Sequence, residues 1–274
     1  MKKKIFAGIA AFATALTMCF AFTACNKDGG GADDSVKSEE QWVQAFADTL
    51  SATNFKFIQR VVSTGKISNG EAESVDYSRT NINEVGFDGE GFKAYSKYGV
   101  KVKSGNDEPT ETSGIRYFEV VDKTYVQYSY DEDDGWYADP EEYDTSEVAK
   151  ERFNEYVSGG LLGSLVSSQY KGTGDSEEIS GNLTELYSLF SYDSKTHAYS
   201  ATLKPVSEYY EFEMNLKIYF KGGKLYKLVN GYSQGDGDNA ITNSVENTIT
   251  YGGVSISIPK EVKDTFENEE AYVF

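Results

Sequence analysis

The clearest pattern along the chain is the alternation in "YEFEMNLKIYF". Tyr210, Phe212, Met214, Leu216, Ile218 and Phe220 share one parity, and Glu211, Glu213, Asn215, Lys217 and Tyr219 share the other. A period of two predicts a strand with one buried and one wet face. Gly222 and Gly223 follow and "KLYKLV" returns, which reads as a hairpin. Weaker alternation predicts strands over 55–67, 73–82, 92–103, 115–121, 124–130, 197–204, 245–251 and 254–258. The turn sequences "SNGE", "DGEG", "SGND", "DEDDG", "QGDGDN" and "YGG" separate them.

Three stretches change the period to that of a helix. "SEEQWVQAFADTLSATNF" opens with Ser38 and Gln41 in capping-box spacing, and Trp42, Val43, Phe46 and Leu50 then form one apolar stripe. A second helix is expected from Asp144, through Val148, Arg152 and Phe153 to Tyr156 and Val157, broken at Gly159 and Gly160. A third starts at Asn182, with Leu183, Leu186, Tyr187 and Phe190 on one side. These elements predict an α+β fold. Its sheet is a strongly curved antiparallel one, an incomplete barrel of about nine or ten strands with three helices together across the concave face.

The N-terminus changes this picture. Lys2, Lys3 and Lys4 precede an apolar run from Ile5 to Ala24, the layout of a secretory leader, and no basic stop-transfer cluster follows. "FTAC" resembles the lipobox of bacterial lipoproteins, in which small residues precede a cysteine that is diacylated and becomes the mature N-terminus. Cys25 fits that pattern with Ala24 before it, and Cys19 fits poorly behind bulky Met18. The resemblance implies a leader over 1–24, a cell-membrane anchor through diacylglycerol on Cys25, and a domain facing the extracytoplasmic side. Two or more acyl chains hold a protein stably where one would not. Residues 25–37, with "NKDGGGADDSVK", read as a flexible tether of about 20 Å. Residues 38–274 read as one domain, expected to be a monomer.

Charge and cysteine content narrow the chemistry. The formal net charge is -18, and loss of the three leader lysines makes it -21. That balance argues against nucleic acid and against adsorption to anionic lipid surfaces. With Cys19 in the leader and Cys25 acylated, no thiol is left for disulfides, thiolate metal sites or nucleophilic catalysis. His197 is the single histidine, in "YDSKTHAYSATL" between a turn and a strand, and no G-x-S-x-G elbow accompanies it. "DEDDGW" (131–136) and "GDGDN" (235–239) are acidic turns that lack EF-hand spacing. There is no P-loop, dinucleotide fingerprint or zinc motif, so no cofactor is implied and an enzyme is the least supported class.

Several segments are similar to the LolA-like and LppX-like lipoprotein fold, an incomplete β-barrel closed by helices. They are the amphipathic first helix with its Trp, "NFKF" opening long strands, "GWYADP" after a hairpin, and the helices before "FSYDSKTHAYSATL". "KIYFKGGKLYKL" and "ITYGGVSISIP" complete the set. The resemblance implies an apolar cavity between sheet and helices that holds lipid or acyl chains, and it transfers no specific binding residue.

The residues themselves give that possibility a physical form. Phe212, Met214, Leu216 and Ile218, with Trp42 and Phe46 opposite, are the candidate lining of a ligand cavity. The same residues equally describe a packed core. A surface module that recognises glycan or protein through exposed aromatics is the alternative, with Tyr125, Tyr128, Tyr130, Tyr209 and Tyr219 on wet strand faces.

Overall fold

The computed structural model describes residues 36–68, 74–154, 170–171, 187–205, 214–234 and 240–270. Its strands are β1 (Asn54–Ser68), β2 (Ser74–Asp88), β3 (Lys93–Ser104), β4 (Thr110–Val121), β5 (Thr124–Asp131) and β6 (Gly135–Glu142). The second set is β7 (Tyr170–Lys171), β8 (Ser191–Asp193), β9 (Ala198–Pro205), β10 (Met214–Lys221), β11 (Lys224–Gln234) and β12 (Ile241–Tyr251). The helices are α1 (Glu39–Leu50), α2 (Ser146–Asn154) and α3 (Lys260–Glu270).

All the strands pair antiparallel in the order β6-β5-β4-β3-β2-β1-β12-β11-β10-β9-β7, with β8 also on β9. The sheet is curved and open, and its two meanders meet where β1 pairs with β12. Gly222 and Gly223 take φ of 57° and 71°, which only a residue without a Cβ adopts at low cost, so the expected β10–β11 hairpin turns tightly there.

Among the described residues the strand count of nine or ten is corrected to twelve. β7 and β8 are too short to show a period, and β6 carries Pro140, Asp139, Glu141 and Glu142. Those are residues that an edge strand tolerates and a pattern search rejects. The 254–258 stretch is not a strand, although Ile256 and Ile258 are buried.

Pairing register assigns each side chain to one of two faces. We call inner the face that holds Phe55, Phe57, Phe87, Ile218 and Ile249, on which α1 and α2 pack. Ser38 caps α1 by accepting from the Gln41 N–H at 3.2 Å, and the Gln41 side chain accepts from the Lys37 N–H at 2.6 Å. The box thus closes one residue earlier than its motif. Val36, inside the stretch read as tether, is buried, and its carbonyl accepts from the Tyr199 hydroxyl.

The same register calls for a further helix that the sequence pattern does not predict. Along β5, Tyr125 on the inner face and Val126 and Tyr128 on the outer face are all buried. A strand that is apolar on both sides needs cover on both. The outer cover is α3, whose Val262 and Phe266 pack with Ile256, Ile258, Val126, Tyr128 and Ala138. Among the described residues α1 and α2 therefore lie on the inner face, as expected, and α3, which the sequence pattern does not predict, lies on the outer one. The second starts one residue later than expected, with Thr145 Oγ1 accepting from the Val148 N–H at 3.3 Å. Of the third predicted helix, 182–186 lies outside the described residues, while 187–189 are helical and Tyr187 and Phe190 contact Trp42.

A polar pin fixes α1 to the sheet. The Thr49 hydroxyl donates to the Ala45 carbonyl at 2.7 Å and accepts from the Leu225 N–H at 3.1 Å. The Tyr251 hydroxyl, 3.1 Å from it, donates to the Leu225 carbonyl. Burial pushes the Tyr251 hydroxyl up to about 12; it does the same for Tyr199, and for Tyr95, where a hydrogen bond to Glu84 adds to it. The ordinary tyrosine value is near 10, so the fold favours the neutral phenol. The stability these groups contribute is fully present below about pH 10 and is lost as pH rises toward 12. Circular dichroism during alkaline titration should show unfolding in that window, and Tyr251→Phe should make the loss shallower. An unchanged profile in the variant would remove Tyr251 from the account.

Candidate functional site

The inner face changes character along the strands. Near the helices its rows are apolar: Phe55, Phe87 and Ala94 in one row, Phe57, Val85 and Ile249 in the next. Further along, the same parity carries Gln59, Asn81, Asn83, Asn230, Asn243 and Asn247. Over the six central strands, β3 to β10, inner positions carry no acid and a single cation, Arg79. This is a nearly uncharged amphiphilic surface, apolar at one end and rich in carboxamides at the other.

The carboxamides bond across strands. Asn83 Nδ2 donates to Gln59 Oε1 at 3.2 Å, and Gln59 Nε2 donates to Asn247 Oδ1 at 3.1 Å. Ser63 donates to Asn243 Oδ1 at 2.7 Å, and Arg79 Nε to Asn81 Oδ1 at 2.9 Å. Asn243 and Asn247 are both buried. Asn230 lies one row from Asn247, paired directly across from Val245 and Leu216, and its buried Oδ1 has no hydrogen-bond partner. Buried carbonyl oxygens are seldom left so.

The α1 end holds a second such atom. Trp42 is fully buried among the rings of Phe46, Tyr187, Phe190, Tyr199 and Phe220, with centroids 5.0–5.7 Å away. Its indole Nε1 is buried without a partner. An unpaired donor and an unpaired acceptor thus belong to the same sheet face and its helical cover.

Of the cavity residues expected from sequence, the Trp42 and Phe46 rings meet at a tilt of 49° and both contact Phe220 on β10. Leu216 and Ile218 are buried on that same face. Met214 opens β10 opposite Leu203. Phe212 and Cys25 lie outside the described residues. The carboxamide belt was missed, because Asn and Gln read as wet positions. Their parity with Phe57 and Ile249 was the signal that could have placed them inside.

The wet tyrosine platform is corrected. Tyr125 and Tyr128 are buried, Tyr219 is half-buried, and Tyr209 lies outside the described residues. Of the four described members of that platform, Tyr130 alone is exposed, at 56%, its ring 5.5 Å from that of Trp136. His197 is exposed, with Nδ1 at 3.2 Å from the Tyr192 hydroxyl. In the acidic turn, Asp131 Oδ1 accepts from the N–H groups of Asp133 and Asp134 at 2.8 and 3.3 Å, a turn fold and not a metal cage. Among the described residues no group of three acidic, histidine or cysteine side chains is placed to hold a metal. No described helix is long and apolar enough to cross a membrane.

No family model matches the chain, and no curated protein sequence matches it. Among solved structures, the S-type phycobiliprotein lyase CPES from Guillardia theta aligns at 6% identity with a TM-score of 0.21, over 80% of this chain and all of that one. A score that low carries no argument about this chain's fold or ligand.

Proposed function

We propose that the protein is a lipid-anchored extracytoplasmic lipoprotein whose inner sheet face holds an amphiphilic, lipid-like ligand, on a half-barrel resembling the LolA-like and LppX-like group. The observation that carries this reading is the buried, unpartnered Asn230 Oδ1, seconded by Trp42 Nε1, on a face that is otherwise almost free of charge. Leaving a buried polar atom unpaired costs about 1–3 kcal/mol. A ligand with a hydroxyl, amide or ester group at its polar end would recover that cost at the carboxamides, while Leu228, Ile218 and Phe57 take its apolar part. Acylated Cys25 would hold the domain at the membrane surface, and no cofactor enters.

The exposed Tyr130 with its Trp136 neighbour supports a second reading, a surface module that recognises glycan or protein with no internal ligand. Native mass spectrometry with lipid extraction separates the two, on residues 26–274 purified from a lipid-containing host. The first reading expects a co-purifying amphiphile near one per chain, lost in Leu216→Glu. It further expects Asn230→Leu to lower occupancy while raising the stability of the ligand-free protein by about 1 kcal/mol or more. A ligand-free protein, with occupancy and stability indifferent to Asn230, would favour the surface module.

A further inference from the structure

The outer face reverses the sign of the whole chain. Over the six central strands, β3 to β10, outer positions carry ten lysines and arginines against four acids, Asp76, Glu84, Asp88 and Glu246. This leaves out Lys224, whose ammonium lies over the Tyr251 ring. The chain as a whole has 26 basic and 44 acidic residues. Charge is thus segregated: acids crowd helices and turns, such as Glu39 and Glu40 in α1 and Glu132, Asp133 and Asp134 after β5, and cations collect on one sheet surface.

Some of these cations are engaged. Lys227 pairs with Glu246 at 2.7 Å, and Lys101 with Glu111 of β4 at 2.6 Å. Among the described residues, Lys56, Arg60, Lys66, Lys103, Lys217 and Lys221 have no ion-pair partner, and all but half-buried Lys56 are exposed. They spread over six strands, about 24 Å at ordinary strand spacing, and over about 33 Å along β1 from Lys56 to Lys66. Hydroxyl residues such as Thr64, Thr80, Ser244 and Thr248 occupy much of the surface between them. Apolar and aromatic surface lies among them as well. Ile82 is 45% exposed and sits directly across from Arg60, and the Tyr219 and Tyr226 rings lie 6.2 Å apart near Lys217 and Lys227.

We propose that this outer face docks on the surface of an anionic phospholipid bilayer. Cations supply the attraction to headgroup phosphates, and the acidic remainder of the molecule, repelled by the same surface, orients the domain with β1, β12 and β11 toward the lipid. Exposed Ile82 and the tyrosine pair decide for a bilayer over a soluble polyanion. Aliphatic and amphipathic aromatic side chains gain by entering the headgroup boundary, and a hydrated polyanion offers them no such region. The inference rests on the outer face alone. It stands whether or not Cys25 is acylated and whether or not the inner face holds a ligand.

The test uses residues 26–274, which keep every described core contact, since Val36–Phe274 form one compact unit. Co-sedimentation is measured with vesicles of phosphatidylcholine alone and of equimolar phosphatidylcholine and phosphatidylglycerol, at low and high salt. The expected result is binding to the anionic vesicles only, weakened by salt. Each neutralised cation should lower the partition about fivefold, so R60Q/K103Q/K217Q should lower it about a hundredfold. These are exposed positions, and unchanged circular dichroism checks the fold. Equal binding to neutral vesicles, no binding to anionic ones, or a triple variant that binds as the parent does would each overturn the proposal. Tighter binding to double-stranded DNA than to the anionic vesicles would overturn the bilayer assignment.

Discussion

Replacing Trp42 with alanine should lower folding stability by about 3–5 kcal/mol, among the largest effects any single truncation in this chain can have. The indole is fully buried, and the five rings around it come from α1 itself, the 187–190 segment, β9 and β10. Its removal leaves a void bordered by three separate pieces of chain that must otherwise collapse together. For a domain of this size the loss corresponds to a fall in Tm of about 6–20 °C, measurable by calorimetry. Trp42→Phe sharpens the experiment. It keeps most of the ring contacts and deletes an N–H that has no partner, so the stability cost should be about 1 kcal/mol or less. If the indole N–H serves a ligand, this mild variant loses bound amphiphile while remaining folded. A cost for Trp42→Phe as large as that for alanine would mean that the N–H is satisfied within the protein.

The contrast between β10 and β5 explains which parts of the fold were legible in the sequence. β10 alternates cleanly because one of its faces meets water, and its paired glycines mark the turn to β11. β5, "TYVQYSYD", is covered on both faces, so burial leaves no period to read. That absence was itself a signal for a second layer, which α3 provides. α3 was illegible because only Val262 and Phe266 are apolar in "KEVKDTFENEE", although their four-residue spacing and the Lys260–Asp264 pair at 2.8 Å are helical marks.

At the candidate site, the apolar half was legible and the polar half was not. Leu216, Ile218, Trp42 and Phe46 are buried as an alternating strand and a helix stripe dictate. Gln59, Asn243 and Asn247 follow the same parity but carry the wrong chemistry for a core, and a two-letter pattern discards them. The outer face was hidden by averaging. A net charge of -18 describes no single surface, whereas the parity of Lys56, Arg60 and Lys66 along β1 does.

Removing the Lys263 ammonium should destabilise the attachment of α3 by about 3 kcal/mol or more, out of proportion to its half-exposed position. Its partner Glu119 is only 3% exposed, on the outer face of β4 beneath α3. Lys263 Nζ lies 2.8 Å from Glu119 Oε2, and the Tyr128 hydroxyl donates to Oε1 at 2.8 Å. Lys263→Met keeps the aliphatic stem and removes the counter-charge of a carboxylate that is almost wholly shielded from water. The cost is that of a buried charge left without its counter-ion, and not the net worth of the pair. A second variant separates the two. Lys263→Met combined with Glu119→Gln leaves a neutral amide that still accepts from Tyr128, and it should recover most of the lost stability. Hydrogen exchange across 260–270 distinguishes local from global effects: the single variant should open α3 well before the inner core around Trp42, and the double variant should restore its protection. If the double variant is as unstable as the single one, the loss lies in packing of the lysine stem, and the Glu119 charge does not set how firmly α3 is held.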